Sequence, residues 1–255
     1  MNQSKALVTG ASRGIGKAIA LELAKQKIDV IVHYGKNSQA ANEVANQIKD
    51  LGQQAWVYQA DLVDIEQTQK FYSKVKDEHD YLDYYILNAA STAFKPLLDL
   101  SLENIDKTFN LVIKSFLIGL KCLHPLLKGR DSQVLTISGI DTVKFCPGHG
   151  LLAAAKSSLE TLSKYLSVEL AADKIHIKCV NPGLVATDST RFYLGEAFDQ
   201  IFESSQKCAP HGGFVEPSQL AKIILLLLKP EANWLATKTI HMDGGLGFML
   251  PQFLK

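Results

Sequence analysis

Hydrophobic residues along this chain follow two alternating patterns. Six short apolar runs are typical of buried parallel strands, and a seventh segment closes the series: 6–8, 30–32, 55–58, 84–87, 134–137, 175–180 and 237–241. Between them, apolar residues recur three and four positions apart and predict helices over 14–26, 40–51, 65–76, 102–127, 151–171 and 217–228. This alternation predicts an α/β fold, a doubly wound parallel sheet flanked by helices, with ligands at the carboxyl ends of the strands.

Composition narrows the class of protein. With 47% hydrophobic residues and a net charge of +1, neither disorder nor nucleic-acid binding is favoured, and residues 1–255 are expected to form one domain. The most apolar stretch, 223–228, is too short to span a bilayer, and the polar start of the chain shows no signal sequence. Four scattered cysteines predict reduced thiols, no metal site and a cytoplasmic location: Cys122, Cys146, Cys179 and Cys208.

The sequence T-G-A-S-R-G-I-G at 9–16 directly follows the first strand and opens the first helix. Glycines at this place allow a tight turn, close backbone approach to a pyrophosphate and tight helix–sheet packing. The helix N-terminus then offers free N–H groups to the phosphates. This context predicts a Rossmann-type dinucleotide site that includes Gly10, Ser12, Arg13, Gly14, Ile15 and Gly16.

The second strand discriminates between the two nicotinamide cofactors. An acidic residue at its end would bind the ribose 2′-hydroxyl of NAD, and none occurs from 33 to 42. Arg13 in the turn and Lys36 after the strand are cations that suit a 2′-phosphate. NADP(H) is therefore the predicted cofactor; the alternative is that both are ordinary solvated charges.

Further motifs follow the glycine turn along the chain: Asp61-Leu62, Asn88-Ala89-Ala90, Lys156, Asn181-Pro182-Gly183 with Thr187, and Asp243-Gly244-Gly245. Together with the turn they resemble the short-chain dehydrogenase/reductase family over nearly the whole chain. The resemblance implies that Asp61 and Leu62 hold the adenine, that Asn88 and Ala89 are also cofactor-binding residues, that Lys156 binds the nicotinamide ribose, and that Pro182, Gly183 and Thr187 hold the carboxamide. It also implies a substrate lid at about 188–215. Segments 89–91, 136–149 and 162–170 most resemble enoyl-acyl-carrier-protein reductase III, and 3-oxoacyl-carrier-protein reductases come next.

Three positions depart from the family's active site. Four residues before Lys156, where the family has tyrosine, this chain has Leu152. The serine position is Gly139, with Ser138 one residue away, and the asparagine position is Val112, with Asn110 nearby. Of the family's four catalytic residues, only the lysine remains in register.

His149 offers a replacement for the missing tyrosine. The enoyl reductase branch uses the wider spacing Tyr-x6-Lys, and His149 stands seven residues before Lys156. Imidazole can donate or accept a proton at neutral pH, and enoyl reduction needs a donor for a transient enolate. The predicted catalytic set is therefore His149, Lys156 and Ser138, the last as an auxiliary donor. The alternative is a loop histidine after Pro147-Gly148 that bonds only locally.

Other residues receive weaker interpretations. Cys146 is expected to be an inert thiol, and His211 to lie either at the pocket or on the surface. Phe192, Tyr193, Phe198, Ile201 and Phe202 are spaced to hold an acyl chain or, more simply, to pack a lid helix. Glu160, Lys164 and Glu169 are interpreted as solvated charges.

Two classes of function remain open at this point. The first is an NADP(H)-dependent reductase of an enoyl or oxo acyl thioester, with an acyl carrier protein as a candidate carrier of the acyl group. The second is a redox-silent binding or scaffold subunit, or a non-redox isomerase or dehydratase in the same pocket. In either case, the long helices at 102–127 and 151–171 and the apolar tail at 247–254 predict a homotetramer.

Overall fold

The computed structural model describes residues 3–248, and of Cys208 the backbone alone. Within the described residues the strands are β1 Lys5–Val8, β2 Asp29–Tyr34, β3 Ala55–Gln59, β4 Tyr84–Leu87, β5 Ser132–Ile137, β6 Ile175–Asn181, β7 Leu184–Val185, β8 Phe214–Val215 and β9 Thr239–His241. The α-helices are α1 Gly14–Lys25, α2 Ser38–Asp50, α3 Ile65–Glu78, α4 Leu102–Phe109, α5 Ser115–Leu127, α6 Gly150–Glu169, α7 Asp188–Leu194, α8 Phe198–Cys208 and α9 Pro217–Leu227.

Seven strands form one parallel sheet in the order β3-β2-β1-β4-β5-β6-β9. The predicted doubly wound sheet is confirmed, and its strand order reverses between β1 and β4. At that point the crossover helices pass to opposite faces and leave a crevice above the carboxyl ends of the strands.

Each face of the sheet has its own hydrophobic core. Helices α1, α2 and α9 cover one face with fully buried residues that include Ile19, Leu23, Val44, Leu220 and Ile224. Helices α3, α5 and α6 cover the other with Phe71, Tyr72, Phe116, Leu123 and Leu159. Because both faces are covered, the strands are apolar on both sides, and this explains their continuous apolar runs.

The predicted helix over 102–127 contains a π-helical turn at Asn110–Lys114, between α4 and α5. The whole segment Leu102–Leu127 is long and apolar enough to cross a membrane, with a mean hydropathy of 1.3 over its most apolar window, but half of that window is buried. Phe116 and Leu123 within it are fully buried in the core. This burial is expected of a helix that packs directly against one face of the central sheet.

The predicted lid contains α7, α8 and the strand β8, which pairs in parallel with β7 as a separate two-stranded sheet. Phe198, Phe202 and Phe214 pack together, with ring centroids 5.3–5.9 Å apart. The lid is therefore anchored by an aromatic cluster of its own. Most of the apolar tail, from residue 249 onward, lies outside the described residues.

Candidate active site

The glycine turn after β1 is held by backbone geometry. Gly10 and Gly14 have φ of 64° and 54°, a region that side chains with a Cβ rarely adopt. A Cβ on Gly16 would stand 2.3 Å from the carbonyl oxygen of Gly10 and 2.6 Å from Nδ2 of Asn88. The turn therefore packs so closely that the third glycine cannot be replaced without moving backbone.

Asn88, at the end of β4, fastens the turn to the sheet. Its Nδ2 donates to the carbonyl oxygens of Thr9 at 3.0 Å and Gly10 at 3.1 Å. The hydroxyl of Thr9 accepts from the backbone N–H groups of Asn88 and Ala89. The predicted cofactor residues Asn88 and Ala89 thus hold the glycine turn in place from the neighbouring strand.

His33 braces the turn from β2. Its Nδ1 accepts from the Gly10 N–H at 3.1 Å, and its Nε2 lies 3.1 Å from the carbonyl oxygen of Ala60, to which it donates. Burial lowers the pKa of His33 to about 4, so the ring is neutral at pH 7. One neutral histidine therefore joins the glycine turn to β2 and to the end of β3.

Lys36 and Asp61 lie at the same edge of the sheet as the turn. Lys36 is exposed just beyond β2, and Asp61 follows β3, where its Oδ1 accepts from the Val63 N–H at 3.0 Å. The side chain of Leu62 is buried in the core, so only its backbone can face a ligand. The parallel register places these positions at the same edge of the sheet as Arg13, which is exposed at the N-cap of α1.

A cavity of about 1000 Å³ opens at this edge, above β1, β4, β5 and β6. Nine of the predicted site residues line it: Arg13, Ile15, Asn88, Ser138, His149, Lys156, Pro182, Gly183 and Thr187. We refer to the part around 10–16 and Asn88 as the glycine-turn end, and to the part around 138–156 as the His149 end. The fold therefore joins the two motifs in one crevice.

Lys156 lies in α6 and is buried at the His149 end. Its Nζ donates to the carbonyl oxygen of Ile137, the last residue of β5. Burial lowers the pKa of the Lys156 ammonium to about 8, an effect that the nearby carboxylate of Asp141 opposes. The ammonium group is thus held at the strand edge, where it can reach a ligand in the cavity.

His149 is the N-cap residue of α6, and its ring is held by three neighbours. Its Nδ1 lies 3.1 Å from Oδ2 of Asp141, and both side chains are largely buried, 16% and 5% exposed. The rings of Phe94 and Tyr193 lie 4.7 Å and 4.0 Å from the imidazole, centroid to centroid. Asp141 and Phe94 were not predicted as partners of His149. Asp141 stands eight residues before His149, a spacing typical of neither a helix nor a strand, and Phe94 is distant in the sequence.

Two predictions about polar residues need correction. Glu160 is not a solvated charge: it accepts hydrogen bonds from Ser138, from Thr142 at 2.9 Å and from Thr239 at 3.2 Å. Since the Ser138 hydroxyl proton points to Glu160, Ser138 is not free to donate into the cavity as predicted. Glu160 instead ties α6 to β5 and β9 beneath the site.

The positions that depart from the family pattern have different environments. Leu152 lines the cavity where the family's tyrosine would stand. Val112 is 1% exposed and lies in the core, while Nδ2 of Asn110 donates to the Val63 carbonyl oxygen at 3.1 Å. Neither Val112 nor Asn110 lines the cavity, so neither takes the place of the family's asparagine there.

The other residues considered from the sequence lie either at the cavity or away from it. Cys146 lines the cavity, and burial raises the pKa of its thiol, in agreement with an inert group. His211 is exposed and does not line the cavity. Phe192, Tyr193 and Ile201 line it, whereas Phe198 is buried in the lid cluster. Among residues 3–248, no cluster of three or more His, Cys, Asp or Glu side chains is arranged to hold a metal ion.

Known proteins match this architecture along nearly its full length. The family model described as "Enoyl-(Acyl carrier protein) reductase" matches residues 10–247. The chain is 29% identical to 1-cyclohexenylcarbonyl-CoA reductase of Streptomyces collinus over 97% of this chain and 88% of that protein. It is 32% identical to versicolorin reductase 1 of Aspergillus parasiticus over 94% of this chain and 95% of that protein.

A solved short-chain dehydrogenase from Burkholderia cenocepacia J2315, in complex with NADP, superimposes with a TM-score of 0.86 at 26% identity, covering 96% of this chain and 99% of that one. The chain belongs to the short-chain dehydrogenase/reductase family, in the branch of the enoyl-acyl-carrier-protein reductase model. The family resemblance inferred from the motifs is thereby confirmed.

Proposed function

We propose that the protein is an NADP(H)-dependent reductase of an α,β-unsaturated acyl thioester, carried on coenzyme A or an acyl carrier protein, with His149 as the proton donor. The observation that carries the proposal is the placement of His149. It lies in the same cavity as Lys156 and the glycine turn, although the family's tyrosine is replaced by Leu152. The names of the enoyl reductase model and of the Streptomyces relative support a thioester substrate.

The glycine-turn end fits a dinucleotide. A Cβ on Gly10 would stand 3.1 Å from the Ala89 Cα, and one on Gly16 would clash with backbone, so this surface is shaped by the absence of side chains. The first turn of α1 carries no acidic residue, and Arg13 makes no side-chain capping bond to it. Its N–H groups and the positive end of the helix dipole are therefore available to phosphates.

NADP(H) is favoured over NAD(H) by the charges beside this turn. Arg13 and Lys36 are both exposed, and no acidic side chain occurs from 33 to 42 to repel a 2′-phosphate. A guanidinium and an ammonium are good partners for phosphate oxygens. The NADP in the Burkholderia structure supports the same choice.

The bound cofactor would supply a hydride to the β-carbon of the enoyl thioester, and this leaves negative charge on the thioester oxygen. The protein's own residues then handle the charge and the proton. Protonated His149 would donate from Nε2, and Lys156 would place positive charge at the edge of β5. The balance is one unsaturated thioester, one hydride and one proton consumed, and one saturated thioester formed.

Large apolar side chains surround the mouth of the cavity. Phe94, Phe145 and Phe192 line it while remaining 43%, 92% and 83% exposed. Exposed aromatic residues grouped at a cavity mouth are typical of a binding surface for an apolar group. They support an acyl portion larger than two carbons.

Parallel assays with a crotonyl thioester and an acetoacetyl thioester test the proposal, with NADPH oxidation as the readout. Crotonyl thioester should be reduced, and acetoacetyl thioester should react about 10²–10⁴-fold more slowly, because an alkoxide needs the concerted acid that the missing tyrosine supplies. Acetoacetyl turnover at ordinary enzyme rates, roughly 1–10³ per second, would contradict this preference.

A redox-silent binding role is the second candidate. It is favoured by the changes at Leu152, Gly139 and Val112, of which Val112 is buried in the core and cannot act on a ligand. If neither thioester is reduced while NADPH binds, this candidate or a non-redox reaction replaces the first. Binding can be followed by the fluorescence of Trp56 and Trp234.

We also propose that the protein is a homotetramer assembled through its long helices. Tyr165 and Val168 on α6 are each 67% exposed, and Leu117 on α5 is 38% exposed. Light scattering at micromolar concentration should give four times the 28.0 kDa chain mass. A Tyr165→Asp and Val168→Asp double variant should dissociate; a monomeric parent would contradict the proposal.

A further inference from the structure

We propose that Asp141 is a positioning residue for His149, and that glycine at 139 is what makes room for it. The inference rests on the proposed role of His149 as proton donor. In this view the family's serine and tyrosine have been replaced together by an Asp–His pair. The change from serine to glycine is then a requirement of the new pair rather than a sign of lost function.

The hydrogen bond and the aromatic contacts together fix the imidazole. Asp141 Oδ2 lies 3.1 Å from Nδ1, and the ring of Tyr193 stands edge-on at an interplanar angle of 71°. Tyr193 is itself held, since its hydroxyl donates to the Pro147 carbonyl oxygen at 2.6 Å. The ring of Phe94 contacts both the imidazole and Tyr193, at 4.7 Å and 5.2 Å. His149 therefore has little freedom to rotate.

The Asp141 carboxylate determines which nitrogen of the His149 ring carries the proton. An ionised carboxylate only accepts hydrogen bonds, so Nδ1 must carry a proton, and in the neutral ring Nε2 is then unprotonated. Nε2 of His149 is buried and has no hydrogen-bond partner among the described residues. Protonation places the exchangeable proton on Nε2 while the bond to Asp141 remains, and this is the arrangement that a proton donor requires.

Gly139 is matched to this carboxylate. A Cβ at position 139 would stand 2.5 Å from Oδ1 of Asp141. The backbone of Gly139 is extended, with φ of −159°, so its conformation does not require glycine. A Cβ here would therefore press on Oδ1 of the same carboxylate whose Oδ2 contacts His149, and we expect a serine at this position to shift the Asp141 side chain away from His149.

Nitrogen-15 NMR of the histidine side chains tests the pair without any turnover. At pH 8 the His149 signals, assigned by their loss in His149→Asn, should show Nδ1 protonated and Nε2 unprotonated. Asp141→Ala and Gly139→Ser should each change this to a mixture or to the Nε2-protonated form. A wild-type protein with Nε2 protonated, or spectra unchanged in both variants, would overturn the proposal even if thioester reduction were confirmed.

The chain offers a matched control pair outside the cavity. His124 Nε2 lies 2.6 Å from Oδ2 of Asp173, and both side chains are partly exposed. Asp173→Asn should alter the His124 signals and leave both the His149 signals and the reduction rate unchanged. A rate loss in Asp173→Asn equal to that in the cavity variants would indicate a general structural effect and would overturn the positioning role.

Reduction rates give a second test of the positioning role. Lys156 and Glu160 on α6, Cys146 in the loop and Tyr193 on α7 also face this region, so each variant is compared with its parent. Asp141→Asn should lower crotonyl thioester reduction roughly 10- to 100-fold, because the carboxylate that holds the proton on Nδ1 is lost. Gly139→Ser should lose rate similarly; undiminished rates would overturn the proposal. If the parent reduces neither thioester, NMR decides on the Asp–His pair while the proposed function fails separately.

Discussion

At the glycine-turn end of the cavity, backbone atoms define the site, whereas at the His149 end side chains define it. Gly10, Gly16 and Asn88 meet at distances that leave no space for another atom. At the other end, Asp141 and His149 come together through a loop whose residues bear no regular spacing. A backbone-defined site tolerates almost no substitution, whereas a side-chain site can exchange one set of polar groups for another. This difference explains how the chain keeps its nucleotide motif while its tyrosine and serine positions have changed.

Replacing His149 should have the largest effect on activity, and it tests the His149 end of the cavity. His149→Ala should lower enoyl thioester reduction about 10²–10⁴-fold, because the proposed proton donor is lost, while NADPH affinity stays within about twofold. Steady-state rates and fluorescence titration measure the two quantities.

Two further variants serve as a rescue and a control for that result. His149→Tyr should retain or raise the rate, since it restores the donor of the resembled branch, and His211→Ala, an exposed histidine outside the cavity, should have no effect. Full activity in His149→Ala would show that the histidine is structural.

Replacing Gly16 should disturb the backbone packing at the glycine-turn end of the cavity. In Gly16→Ala the new methyl meets the Gly10 carbonyl oxygen at 2.3 Å, so backbone must move. We expect a loss of about 1–3 kcal/mol in the free energy of unfolding and NADPH binding at least about 10-fold weaker. Urea unfolding and titration measure both. Gly35→Ala, where a Cβ meets nothing within 4 Å, is the control for stability; equal losses in the two variants would argue against the steric explanation.

Low pH should lower the free energy of unfolding through His33, which braces the glycine turn. Its pKa is lowered to about 4 in the folded protein and is near 6.5 unfolded, so its stabilising contribution is complete above pH 6.5 and is lost as the pH falls toward 4. This group should lower the free energy of unfolding by about 2 kcal/mol between pH 7 and pH 5.

His79, whose pKa burial also lowers to about 4, adds to the same trend, so the comparison with a variant is needed. His33→Asn keeps an acceptor for Gly10 but does not titrate, and urea unfolding should show a smaller drop over this range than in the parent. Identical pH dependence in the two proteins would show that His33 is not the responsible group.

Cofactor preference should show the smallest change. Arg13→Ala and Lys36→Ala should each weaken NADPH by about 10-fold and leave NADH nearly unchanged, because a charge-assisted contact to the 2′-phosphate is lost. Paired titrations with the two cofactors give the ratio, and Lys49→Ala on α2 serves as a cation control. Tighter binding of NADH than NADPH by the parent would reject the predicted preference.

The sequence was sufficient wherever local backbone rules determine the structure. Apolar runs and helical spacing predicted the parallel sheet, and the glycine triplet after β1 predicted the turn that Asn88 and His33 hold. The missing tyrosine and the wider register of His149 were also visible, because both are counted from Lys156 along one segment of chain. Element ends differed by a few residues, and the π-helical turn at 110–114 has no clear signal in the apolar pattern.

The sequence by itself determined the fold, the glycine turn and the position of His149 relative to Lys156. Tertiary structure alone decided that Asp141 reaches His149, that Gly139 leaves space for that carboxylate, and that Glu160 is a buried acceptor for Ser138. The physical reason is the separation along the chain of the residues that interact. Glycine turns and amphipathic helices are set by sterics and periodicity between near neighbours, whereas the meeting of side chains at the edge of β5 depends on how a loop, α6 and α7 pack together.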